Sequence, residues 1–227
     1  VDIGDADIIH TDTIKSHANI EFAVRKILAA KAIPIVIGGD HSVNIPCINA
    51  FDGQEPMHVI QIDAHLDFVD ERHGVRFGHG NPMRRASEKK YVAGMTQIGI
   101  RNVSSTAKEG YVDARKGGSD IYSVRQFRKL GVHKMIETIP KGIRYYLTID
   151  IDAFDPSIAS GTGTPSHGGF YYYEILEFLD GLTKRGNVVG IDLCEVAPDY
   201  DLSGTTSTLA AQLLMNLLGR ILHNCSK

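Results

Sequence analysis

Short apolar runs recur along this chain, and several give way abruptly to polar residues. Ile33–Ile37 stops at Gly38-Gly39, after which come Asp40, His41 and Ser42. Val59, Ile60 and Ile62 lead into Asp63, and Tyr145–Ile149 leads into Asp150-Ile151-Asp152. Runs of this length, rich in β-branched residues, predict buried strands, with Pro34 best suited to a strand start. Thr96–Ile100 and Val188–Leu193 predict two more. Apolar residues spaced between charges predict helices over Ile20–Ala32, Val124–Leu130, Val132–Thr138, Tyr173–Leu182 and Leu209–Leu222. The acidic opening with Asp2, Asp5, Asp7 and Asp12 reads as a solvated loop, and Phe68–Pro82 as a long loop. Ala107–Ser119 shows no clear apolar periodicity. Strands alternating with helices predict a three-layer α/β/α fold around a mainly parallel sheet, as a single domain over residues 1–227.

The polar residues at the strand ends add chemistry to this outline. On an extended backbone, residues i, i+2 and i+4 face the same way. Asp63, His65 and Asp67 are therefore expected to converge where their strand ends, as are Asp150 and Asp152. Loops at the carboxyl ends of parallel strands gather at one edge of the sheet, which brings His41 to the same place. Carboxylates with imidazole are the donor set of a hard-to-borderline divalent ion such as Mn²⁺. Six such ligands exceed the needs of one catalytic ion with an open position. They suit two ions at the roughly 3.5–4 Å separation of two-metal hydrolases, and four aspartates offset the charge.

Composition excludes other classes. With 227 residues, 43% hydrophobic and 22% charged, the chain is an ordinary globular protein. A net charge of −3 leaves no basic footprint for nucleic acid and no bias towards a membrane surface. Cys47, Cys194 and Cys225 lack metal-type spacing, and an odd set of thiols suits a reduced, cytoplasmic compartment.

GGDHS (Gly38–Ser42), DAHLD (Asp63–Asp67), LTIDIDAFDP (Leu147–Pro156) with GTGTP (Gly161–Pro165), and DLCEVAP (Asp192–Pro198) resemble the signature blocks of the ureohydrolase family. That family includes arginases, agmatinases and related guanidino-acid hydrolases. The flanking RFGHGNPMRRA, QIGIR and EVAPDYD are more similar to the agmatinase branch than to arginase. The resemblance implies an arginase- or deacetylase-like fold, hydrolysis of a guanidino group to urea and an amine, and a homotrimer or homohexamer. It implies Asp63 and Asp150 as bridging ligands, with His41 and Asp67 completing one ion and His65 and Asp152 the other. Mn²⁺ is the first choice, and the same donors admit Ni²⁺, Co²⁺ or Zn²⁺. It further implies that His79 is a mobile proton-transfer histidine and that Glu195 partners the guanidinium cation. His10, His17, His58, His73 and His133 read as surface-loop histidines. Family members usually carry a stretch ahead of the position of Val1, so the resemblance implies that an N-terminal portion, with a first strand and part of the pocket wall, is missing here. Ser160 stands where the family has proline, which loosens a loop and removes no catalytic group.

The substrate's tail is read from the loop after DAHLD. Arginase-like members hold the amino-acid end of arginine with an asparagine where this chain has Val69, which disfavours free arginine. Asp70 or Glu71 suits the distal ammonium of agmatine, ranked first. Arg72 or Arg76 suits the carboxylate of a guanidino acid such as 4-guanidinobutyrate, and unsubstituted guanidine needs no tail contact. Two further readings compete. One is amide hydrolysis at a single metal, as in deacetylases, against which Glu195 and paired metal sites stand. The other is a catalytically degenerate metal-binding scaffold.

Overall fold

The apolar run ahead of Asp63 forms β2 (Met57–Ile62), buried at every position. Its odd-numbered side chains Met57 and Val59 pack to one side, and Ile60 and Ile62 to the other, as a strand covered on both faces requires. The computed structural model describes residues 1–103 and 106–225. Among them β1 (Ile35–Ile37), β2, β3 (Val92–Ile98), β4 (Ser119–Tyr122), β5 (Arg144–Asp150) and β6 (Asn187–Cys194) form one sheet in the order β1-β6-β5-β2-β3-β4. Every pairing is parallel, so the carboxyl ends of all these strands lie along one edge.

Helices cover both faces. On one side lie α1 (Thr13–Ala29), α2 (Asn44–Asn49), α3 (Pro82–Ser87) and α4 (Lys108–Lys116), whose Ile20, Val24, Ile48, Met83 and Ala114 join Val59, Met95 and Tyr146. On the other lie α5 (Val124–Leu130), α6 (Val132–Thr138), α7 (Tyr172–Arg185) and α8 (Thr205–Cys225), whose Phe127, Met135, Phe178, Leu182 and Leu213 pack on Ile60, Leu147 and Ile191. This is the three-layer α/β/α architecture.

Several local expectations are corrected. The first helix starts at Thr13, well before Ile20, because Asp12 caps it by accepting the Lys15 N–H. Pro34 lies just outside β1, where its carbonyl still accepts the Ile191 N–H at 2.9 Å. The segment without periodicity holds α4 and β4: α4 buries Ala114 alone, so it carries no apolar stripe to read. The 68–82 loop ends at α3, which takes Pro82 in its first turn. Asp152 is not on a strand, since β5 ends at Asp150 and a 3₁₀ turn spans Ile151–Ala153. His58 belongs to β2, buried and bonded to Thr96 Oγ1 at 2.8 Å, while His17 and His133 stand on helices. Cys47 and Cys194 are buried and unpaired, and the Cys225 side chain lies outside the described residues. No helix among the described residues is long and apolar enough to cross a membrane.

Candidate metal centre

One local device is repeated at three strand ends. Asp63 Oδ1 accepts the His65 N–H at 2.6 Å, Asp150 Oδ1 accepts the Asp152 N–H at 2.8 Å, and Asp40 Oδ1 accepts the Ser42 N–H at 3.0 Å. Each is an aspartate turning its own chain two residues on. The ligands thus converge because the chain bends, and not because an extended strand alternates its faces. Asp67 finishes the turn in a left-handed conformation, φ 51°. Gly99 lets this turn sit close to β3: with φ 98°, a Cβ there would meet the Asp63 carbonyl oxygen at 2.6 Å.

The six predicted ligands are brought together and buried. His41 Nδ1 lies 2.9 Å from Asp67 Oδ2, 3.1 Å from Asp63 Oδ2 and 3.5 Å from Asp150 Oδ2. His65 Nδ1 lies 2.9 Å from Asp152 Oδ2 and 3.6 Å from Asp63 Oδ1. The two oxygens of Asp63 therefore face different histidines. Two sets with metal-like spacing result, His41-Asp63-Asp67 and Asp63-His65-Asp152, and they share Asp63. Despite its short distances, His41 Nδ1 is in no hydrogen-bond geometry with a partner. Its other ring nitrogen is occupied by Thr148 Oγ1 at 2.7 Å, and that hydroxyl donates to Asp192. A buried imidazole lone pair aimed at three carboxylates fits a cation. The third spaced set, His41-Asp192-Cys194, is already occupied: Asp192 Oδ2 accepts Asn44 Nδ2 at 2.8 Å and the Tyr146 hydroxyl at 2.7 Å.

Charge is concentrated here. Burial pushes Asp67 up to about 6, with the Asp63 charge adding to it, and holds Asp150 well above the usual carboxylate range, helped by Asp152 and Asp63. Burial works against a charged His65, yet Asp152 and Asp63 outweigh it and raise the ring to about 10. Burial and like charge thus oppose ionisation of Asp67 and Asp150, a cost that bound cations would offset.

Glu195 follows β6 with φ 65°, its N–H donating to Gly39 O and its Oε1 accepting the His41 N–H, each at 2.8 Å. It is half-buried, and burial raises its pKa. Asp40 and His79 stand close enough for their charges to act on it.

Comparison with known proteins identifies the family. The model of the arginase family matches residues 1–219. The chain is 36% identical to the human mitochondrial guanidino acid hydrolase over 222 residues, which is 96% of this chain and 63% of that protein. It is 34% identical to guanidinopropionase of Pseudomonas aeruginosa over 225 residues, covering 96% of this chain and 70% of the relative. The structure of proclavaminate amidino hydrolase from Streptomyces clavuligerus superposes with a TM-score of 0.89 at 33% identity, covering 97% of this chain and 75% of that one. The chain belongs to the arginase family. It spans roughly two thirds of the length of the curated relatives it matches.

The loop after DAHLD in this arginase-family chain is placed differently from the six clustered residues. Asp70 is held by Arg85 and lies 3.0 Å from Arg76 Nη2, within a surface cluster that includes Arg84 and Glu88. The Arg85 contact draws the Asp70 carboxyl below its ordinary pKa. Glu71 and Arg72 are exposed, and their side chains have no partner among the described residues. His79 is exposed on the same loop.

Residues without a role in the sequence reading support the centre. Gln61 Nε2 donates to Asp63 Oδ2 at 2.6 Å, and Gln97 Nε2 donates to Gln61 Oε1 at 2.6 Å and to Leu66 O at 2.9 Å. The signal was two glutamines inside apolar strands, where an amide is buried only with partners. Arg101 donates to the carbonyls of Asp152 at 2.8 Å and Ala153 at 3.3 Å, and to that of Ser166, pinning the turn that carries Asp152 to the glycine-rich loop.

Proposed function

We propose that this chain carries the active centre of a dinuclear-metal hydrolase that cleaves a guanidino group to urea and an amine. The observation that carries the reading is Asp63, whose two oxygens serve two histidine-aspartate sets at once. His41 and Asp67 would hold one ion, His65 and Asp152 the other, with Asp63 and Asp150 between them. Mn²⁺ is the proposed metal, and Ni²⁺, Co²⁺ and Zn²⁺ suit the same donors. When bound, such a pair would lower the pKa of a coordinated water from about 15.7 towards 7 and so supply the nucleophile.

The chain's own residues orient the substrate and move protons. Glu195, beside the cluster, receives the guanidinium in a charge-assisted contact. Hydrolysis breaks the bond from the guanidino carbon to the substituted nitrogen, and that nitrogen leaves as an amine only when protonated. His79 hands over the proton, a role to which an imidazole is suited. An amine-tailed substrate of the agmatine type is ranked first, supported by the similarity of the RFGHGNPMRRA and EVAPDYD stretches to the agmatinase branch. The unpartnered Arg72 supports the second reading, a guanidino acid of the guanidinobutyrate type. A trimeric or hexameric assembly and a cytoplasmic location complete the proposal, the latter supported by two buried unpaired thiols.

The test is a urea-release panel with arginine, agmatine, guanidinobutyrate and guanidine on the Mn²⁺-loaded protein and on Glu195→Gln. Losing the partner of a desolvated charge costs about 2–5 kcal/mol, so kcat/KM is expected to fall well over tenfold with metal content unchanged. Two bound ions with no urea from any compound would favour the scaffold reading. Arginine as the best substrate would refute the reading of Val69.

A further inference from the structure

His79 stands between two glycines on an exposed stretch, a setting that by itself leaves a ring free to wander. The backbone around it is fastened instead. Val69 N–H donates to Gly80 O at 3.0 Å, and Asn81 N–H donates to Gly78 O at 3.1 Å. Asn81 then closes the loop with both ends of its side chain. Its Nδ2 donates to Val69 O at 2.7 Å, and its Oδ1 accepts the Gly78 N–H at 2.8 Å. Asn81 is 3% exposed, so water does not compete for either bond. Just beyond it, α3 begins, and the Met83 N–H donates to the Asp67 carbonyl at 3.1 Å. The chain entering the loop, the residue before His79 and a residue of the metal cluster are thereby tied to one point. At the loop's tip, Phe77 meets His17 of α1 edge to face, with centroids 6.3 Å apart.

We infer that Asn81 is the positioning residue for His79, its carboxamide fixing where the imidazole stands relative to Asp67 and Glu195. The inference rests on the proton-transfer reading of His79. It replaces a mobile histidine with one whose loop is held in a single geometry, and misplacement by about 1 Å can cost a catalytic group up to a hundredfold in rate.

The experiment uses the Mn²⁺-loaded protein and the variants Asn81→Ala, Asn81→Asp, His79→Ala and the double variant Asn81→Ala with His79→Ala. Asn81→Asp keeps the acceptor for Gly78 and loses the donor to Val69. The expected result is a loss of about 10–100-fold in kcat for Asn81→Ala, with KM and metal content unchanged, and a smaller loss for Asn81→Asp. In the His79→Ala background, Asn81→Ala should add nothing, because its effect passes through that ring. Amide exchange at Val69 and at Gly78, whose N–H donates to Asn81 Oδ1, should speed up by about tenfold or more in Asn81→Ala. An equal cost in both backgrounds makes Asn81 merely structural and overturns the inference, as does unchanged exchange. Unchanged turnover in His79→Ala, or no urea from the wild-type protein, sinks the functional reading and the inference with it. Those failures are told apart from a failed staple because exchange is measured without turnover.

Discussion

At the strand ends, Asp40, Asp63 and Asp150 each accept an N–H two residues further along their own chain, whereas Asp70 in the loop above reaches Arg85, fifteen residues away. The first kind of contact is fixed by the local sequence and sits at the end of a buried strand. The second depends on where a separate helix, α3, presents its arginines. Burial differs as well: Asp63 is fully buried, while the Asp70 side chain is 49% exposed. In the floor, charges are desolvated and each has high stakes. In the loop, water and several arginines share the load, and single contacts matter little. The same residue type, aspartate, therefore shapes a candidate metal site in one region and is a surface anchor in the other.

The sharpest way to break this comparison is to remove the shared carboxylate of the floor. Losing one partner from a buried charge cluster costs about 3–5 kcal/mol, so Asp63→Ala should weaken metal binding by more than a hundredfold. Calorimetry with Mn²⁺ on the stripped protein checks this, alongside urea release, which should vanish. Two ions still bound with near-native affinity would show that Asp63 is not shared between the sites.

The next effect concerns His58, in the body of β2. Burial lowers this ring to about 4, against a weak opposing pull from Asp120. Between about pH 6.5 and 4 the unfolded chain takes up a proton that the folded one refuses, so stability falls as pH drops through that window. At about 1.4 kcal/mol per pH unit, the loss near pH 5 is about 2 kcal/mol. His58→Gln should flatten this slope, seen as a smaller difference between urea midpoints at pH 7 and pH 5 with Mn²⁺ in excess. Equal differences in the two proteins would mean that other groups set the acid lability.

The two regions also differ in how legible they are. His41, Asp63, His65, Asp67, Asp150 and Asp152 stand out as polar residues at fixed short spacings after apolar runs, and short-range spacing survives folding. The geometric reason drawn from that spacing needed correction, since aspartate turns and a left-handed Asp67 bring the ligands together. Helix α4 and strand β4 were hidden because α4 buries a single side chain and β4 is a four-residue edge strand. Gln61 and Gln97 can be picked out as amides inside apolar strands, but that they pair with each other is decided only by the register of β2 and β3. Asp70, Arg76 and Arg85 can be counted in the sequence, but which of them pair is decided by the packing of α3.

The smallest expected effect tests that pairing. The sequence offered Asp70 as a holder of a substrate ammonium, whereas in the fold it is engaged by Arg85 and Arg76. Arg85 keeps a second partner, Glu88 Oε1 at 2.9 Å, if Asp70 is neutralised. No buried charge is then stranded, so the stability change in Asp70→Asn should fall within the range of about 0–1 kcal/mol typical of exposed ion pairs. The change should shrink further in high salt, which screens exposed charges. If Asp70 is an anchor, KM for agmatine and for guanidinobutyrate should shift by the same small factor. If it also grips the substrate, agmatine alone should lose affinity, by about tenfold for each 1.4 kcal/mol of lost contact. Measuring both KM values in Asp70→Asn, with Arg72→Ala alongside, separates the two. A rise confined to agmatine would move Asp70 from the surface cluster into the substrate site.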